Sequence, residues 1–77
     1  MNWWGMKLGK MSIAENLIEL RKKKELSQVA VAHLLNIGER TYQNYEYGSR
    51  LPPLPTLIAL ADLYDISLDE LVGRERH

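Results

Sequence analysis

The triplet Asn36-Ile37-Gly38 limits what this chain can fold into more than any other stretch. Asparagine and glycine reach left-handed or extended backbone at little steric cost, so the triplet reads as a tight turn. Before it, Ser27 reads as a helix cap, and Gln28 to Leu35 as a short helix with Val31, Ala32 and Leu35 facing inward. After it, another short helix is expected from about Glu39 to Tyr45 or Glu46. Gly48 and the pair Pro52-Pro53 end that helix and hold the next segment extended.

A further helix lies on each side. Ser12 with Glu15 is a capping box, in which hydroxyl and carboxylate satisfy amides that a helix start leaves unpaired. Ile13, Leu17 and Leu20 then recur at the spacing of one helical face, and the cations Arg21 to Lys24 suit the negative end of the helix dipole, so this helix should stop near Glu25. Downstream, Leu57, Ile58, Leu60, Ala61, Leu63 and Tyr64 are apolar nearly all the way round, the pattern of a central buried helix, with Pro55 in its first turn. A second capping box, Ser67 with Glu70, opens a last short helix carrying Leu68, Leu71 and Val72 and ended by Gly73. The fold class is therefore all-α, five helices and no strand, with one domain over residues 12–73, an N-terminal arm 1–11 and a tail 74–77.

At 77 residues the chain has room for one hydrophobic core, and with 45% hydrophobic and 26% charged residues it sits among ordinary globular proteins. The absence of cysteine excludes a disulfide framework and a thiolate metal site, and nothing demands an oxidising compartment, so a cytoplasmic setting is expected. No apolar run is long enough for a secretory core or a membrane span. His33 and His77 have no ligand cluster at metal-binding spacing, and the serines have no neighbouring base, so neither a metal, a cofactor nor an enzyme activity is expected. The ten residues before Met11 have three readings: an arm reaching a ligand, an ordered tail packing Trp3 and Trp4, or an unstructured leader, the last being the expectation.

Formal net charge is zero, but it is unevenly spread. Residues 1–50 carry Lys7, Lys10, Arg21, Lys22, Lys23, Lys24, Arg40 and Arg50 against Glu15, Glu19, Glu25, Glu39 and Glu46, whereas residues 51–77 carry Arg74 and Arg76 against Asp62, Asp65, Asp69, Glu70 and Glu75. One end of the molecule should be positive and the other negative, which lets it present one face to a polyanion.

Two short helices across a three-residue turn, flanked by helices, form a helix-turn-helix. In detail, "ENLIELRKKKELSQ", "VAHLLNIGERTYQNYEYG" and "LPPLPTLIALADLYDISLDELVG", in that order, resemble the Cro and phage repressor family of five-helix DNA-binding domains over residues 12–73. The resemblance implies sequence-specific binding of double-stranded DNA by a transcriptional regulator, commonly a repressor. It implies that Glu39, Arg40, Gln43 and Asn44 read bases in the major groove: Arg40 suits guanine, Gln43 or Asn44 adenine, and Glu39 cytosine. It implies backbone contacts at Gln28, Gly38, Tyr47, Ser49 and Arg50, with diffuse attraction or plain solvation for Lys22 to Lys24. It also implies a partly buried ion pair between Arg21 and Glu46, close packing at Ala32, and Ile37 and Tyr42 beneath the turn.

A lone domain of this size has a small footprint, so a homodimer on a palindromic operator is expected, joined through the last helix (Leu68, Leu71, Val72) and the loop Leu51 to Leu54. No effector pocket is visible. Three positions depart from the family pattern. Glu25 stands where glycine or asparagine is usual, so either it is left-handed, which costs on the order of 1–2 kcal/mol, or the turn adjusts. Gly38 replaces a capping serine or threonine, and Val29 and Ala30 replace acids and leave an apolar surface. Neutral charge and Glu39 support a competing class, an adapter or antitoxin-like module that binds protein through the same fold.

Overall fold

The computed structural model describes residues 12–73, so the expectations for the arm 1–11 and the tail 74–77 fall outside the described residues. Five helices follow in order: α1 (Ile13–Lys23), α2 (Gln28–Leu35), α3 (Glu39–Tyr47), α4 (Leu54–Tyr64) and α5 (Leu68–Leu71), with no strand among the described residues. None of these helices is long and apolar enough to cross a membrane. Both capping boxes close. The Ser12 hydroxyl accepts the Glu15 amide at 3.2 Å while the Glu15 carboxylate takes the Ser12 amide at 2.9 Å, and Ser67 and Glu70 repeat this at 3.1 and 2.9 Å. Ser27 caps α2 by accepting the Ala30 amide at 3.0 Å.

Three of the connections are one turn used three times. Glu25, Asn36 and Asp65 each take left-handed backbone at φ 58, 58 and 56°. Each is followed by a partly buried apolar residue, Leu26, Ile37 or Ile66, and then by an extended helix cap, Ser27, Gly38 or Ser67. The apolar residue's amide reaches back to the carbonyl five residues earlier: Leu26 to Arg21 at 3.1 Å, Ile37 to Ala32 at 3.0 Å, and Ile66 to Ala61 at 3.0 Å. That bond closes the helix end while its apolar side chain plugs the core beneath it. The turn at Glu25 has therefore not adjusted. The glutamate is held left-handed because Leu26 and Ser27 are both committed on its far side. At the end of α3, Gly48 takes φ 81°, a conformation glycine adopts freely, and the helix continues through Tyr47, one residue beyond the expected limit.

Every helix contributes to one core of Leu17, Val31, Ala32, Tyr42, Tyr45, Leu60, Ala61, Tyr64 and Leu71. Tyr42 and Tyr45 meet edge to face with ring centroids 6.4 Å apart. Two expectations are corrected. α4 is not buried all round: Leu60, Ala61 and Tyr64 are, but Leu54 and Ile58 are 58% and 47% exposed, because α2 and α5, which pack against it, cover only one side. Leu71, placed by sequence on the dimer surface, is wholly buried, and its carbonyl accepts the Asn16 side-chain amide of α1 at 2.9 Å. The four residues of α5 form barely one turn, so the side chain facing α1 and α4 cannot also face a partner.

Candidate nucleic-acid interface

α3 lies against both α1 and α2, and its two faces differ sharply. Tyr42, Tyr45 and Glu46 are buried on its inner side. On the outer side Glu39, Arg40 and Tyr47 are exposed and Gln43 and Asn44 half-buried. The helical repeat of 3.6 residues puts Arg40, Gln43, Asn44 and Tyr47 on one stripe. The structure thus brings the four proposed base-reading residues together on one helix, with Glu39 at its first turn. Thr41, half-buried near Gly38 on the flank of this stripe, was not singled out by sequence.

Gly38 begins α3 at φ −69° and ψ 150° and provides no side-chain cap. The Tyr42 amide is taken by the Gly38 carbonyl at 3.0 Å, and the amides of Glu39, Arg40 and Thr41 have no acceptor among the described residues. At the other end, the Asn44 carbonyl gathers the Ser49 amide at 3.1 Å, the Ser49 hydroxyl at 3.2 Å and the Arg50 amide at 3.3 Å. This bracket fixes the loop that carries Ser49 and Arg50, both exposed, beside the exposed Tyr47. At the start of α2 the amides of Gln28 and Val29 also have no acceptor among the described residues, since Ser27 takes those of Ala30 and Val31. Val29 is 51% exposed on that helix, as the departure from an acidic residue implied.

The ion pair that resemblance implied forms the buried foundation of α3. Arg21 donates from Nε to Glu46 Oε2 at 2.6 Å and from Nη2 to Oε1 at 3.1 Å, and its Nη1 holds the Leu26 carbonyl at 2.9 Å. Tyr42 donates its hydroxyl to Oε2, and Gln28 donates Nε2 to Oε1 at 2.9 Å. Each carboxylate oxygen therefore accepts two hydrogen bonds, the full complement for an ionised carboxylate. Burial pushes the Glu46 carboxyl up, but the bonds from Arg21, Tyr42 and Gln28 outweigh it and hold the group below its ordinary range. The bond to Glu46 raises Arg21, and burial raises the Tyr42 hydroxyl far above its ordinary value. Sequence reasoning found the ion pair but not the roles of Tyr42 and Gln28. The four-residue spacing of Tyr42 and Glu46 was a usable signal for the first. Nothing local marks the second, because Gln28 and Glu46 are on different helices.

A short polar helix seated across two others, opened by a three-residue turn and underpinned by a saturated ion pair, defines a helix-turn-helix domain. Residues 17–71 match the family model described as helix-turn-helix. The chain belongs to that family, in its Cro and phage-repressor branch, a non-enzymatic DNA-binding fold. It is 52% identical over 62 residues to the HTH-type transcriptional regulator AnsR of Bacillus subtilis, a match covering 80% of this chain and 53% of that protein. It is 39% identical over 64 residues to the cryptic phage CTXphi transcriptional repressor RstR of Vibrio cholerae, covering 83% of this chain and 57% of the repressor. The chain thus spans about half the length of these curated relatives. The crystal structure of a transcriptional regulator from Listeria innocua superposes with a TM-score of 0.80 at 38% identity, over 88% of this chain and 64% of that one.

Proposed function

We propose that this domain binds duplex DNA as the recognition module of a transcriptional regulator, with α3 in the major groove and two copies on a palindromic operator. The observation that carries the reading is the division of α3. Its inner face is consumed by Tyr42, Tyr45 and Glu46, so Arg40, Gln43 and Asn44 can only face away from the fold, at the spacing of one stripe. Their donors and acceptors match base edges: the Arg40 fork to guanine, the Gln43 or Asn44 amide to adenine, with Glu39 accepting from cytosine. The free amides behind Gly38 and at Gln28, with Tyr47, Ser49 and Arg50, contact phosphates and set the register. Family membership supports the reading, and a relative named as a transcriptional repressor supports repression as the outcome.

The second copy docks on Leu51, in the loop before α4, and on Leu54 and Ile58, which are four residues apart on one face of α4, with Leu68 of α5 also at the surface. Leu51 is 78% exposed, and with the exposed Leu54 and Ile58 it offers apolar surface that a second copy would cover. Selection from a random duplex library at low salt tests the whole reading. Enrichment of an inverted repeat with half-sites about one helical turn apart is expected. Arg40→Ala should change the enriched sequence, whereas Arg50→Ala should weaken all sequences alike and reduce the salt slope by about 1. No enrichment at any salt would overturn DNA recognition in favour of a protein-binding module.

A further inference from the structure

The geometry points to Glu46 as a positioning residue for DNA: a side chain that never reaches the nucleic acid but sets the aim of one that does. This rests on the reading of α2 and α3 above and assigns a further role at the same interface. Glu46 is 4% exposed, so it makes no contact outside the fold. Three of the four hydrogen bonds it accepts come from residues that α3 needs for its own seating, Arg21 twice and Tyr42 once. The fourth comes from Gln28, the first residue of α2, which is half-buried and stands beside the free amides of its own nitrogen and of Val29.

An ionised carboxylate only accepts hydrogen bonds, so Gln28 must turn Nε2, not Oε1, toward Glu46. That bond uses one of the two amide hydrogens and locks the side-chain torsions. The second N–H has no acceptor among the described residues, so together with the two free backbone amides at the start of α2 it gives three neutral donors for one phosphate before DNA arrives. Without Glu46 the long, three-torsion side chain would have to be ordered on binding. Because the bond spans α2 and α3, it also fixes the phosphate-binding end of one helix relative to the base-reading face of the other.

The test is a double-mutant cycle on the duplex recovered by the selection above, with Gln28→Met, which keeps length and removes the donor, and Glu46→Asp, which keeps charge for Arg21 but is too short to reach Gln28 as well. Circular dichroism sets a temperature at which all four proteins are folded. Each single change should weaken DNA binding about tenfold, and the double variant should be no weaker than either. The slope of log affinity against log salt should stay at the wild-type value, since neither residue neutralises a phosphate. A folded Glu46→Asp that binds like wild type, or losses that multiply, would overturn the proposal while leaving DNA recognition intact. Absence of wild-type binding would instead overturn the DNA reading. Should Glu46→Asp not fold, the side-chain amide protons of Gln28 decide by nuclear magnetic resonance: slow exchange both free and bound supports the lock, and fast exchange in the free protein refutes it.

Discussion

Glu25 and Gly38 stand at different positions of the same repeated turn, and each is the less suitable residue for its place. Glu25 is left-handed where Asn36 and Asp65 serve the other two turns, and only short side chains offer the local hydrogen bonds that ease that backbone. Glu25→Asn is expected to stabilise the domain by about 0.5–1 kcal/mol, read from the urea midpoint. Gly38 occupies the position that Ser27 and Ser67 fill elsewhere; a Cβ built there meets only Thr41 Oγ1 at 3.7 Å, so there is room. Gly38→Ser should add a few tenths of a kcal/mol or more in the same measurement. Glu46 sets an acid limit. Its folded-state pKa lies below the ordinary 4.5, so its contribution is complete above that value and is lost as pH falls through the folded value. Glu46→Gln should flatten the acid limb of stability against pH, while lowering stability near neutrality because Arg21 is left buried and unpaired.

At the scale of elements, the three capped helix starts and the Asn36 and Gly48 stops were readable because each depends on a residue's own conformational preference and its neighbours within four positions. Asp65 was not recognised as a left-handed stop. Its helix reads as continuous apolar sequence, and only the commitment of Ile66 to the core reveals the turn. The same limit explains α4, where an apolar pattern suited to burial on all sides meets a fold that covers one. In α2 the sequence expected close packing at one small residue, and that residue is buried. Ala32 is 1% exposed, and Ala32→Leu is expected to destabilise by about 1–3 kcal/mol by overpacking the core, measured by thermal unfolding followed at 222 nm.

For the whole molecule, the decisive question is which apolar residues serve the fold and which serve a second copy. Leu71 and Leu54 are both leucines near the C-terminal half, yet one is wholly buried and the other 58% exposed. Leu71→Ala should cost about 2–5 kcal/mol of stability. Leu54→Glu should change monomer stability by no more than about 0.5 kcal/mol yet abolish dimerisation on sedimentation and lower operator affinity. Had the two behaved alike, the assignment of the α4 strip as the contact surface would fail.

Residue order alone determined the five helices, the boundaries set by caps and glycines, the stripe of Arg40, Gln43 and Asn44, and through family resemblance the pairing of Arg21 with Glu46. These follow from local sterics and from periodicities that repeat within one helix. Tertiary structure alone decided that Leu71 belongs to the core, that Ile58 lies on the surface, that Glu25 stays left-handed, and that Gln28 is tied to Glu46. Each of those depends on how residues distant in the chain compete for the same enclosed space or the same carboxylate, and the free energy of that competition belongs to the assembled molecule.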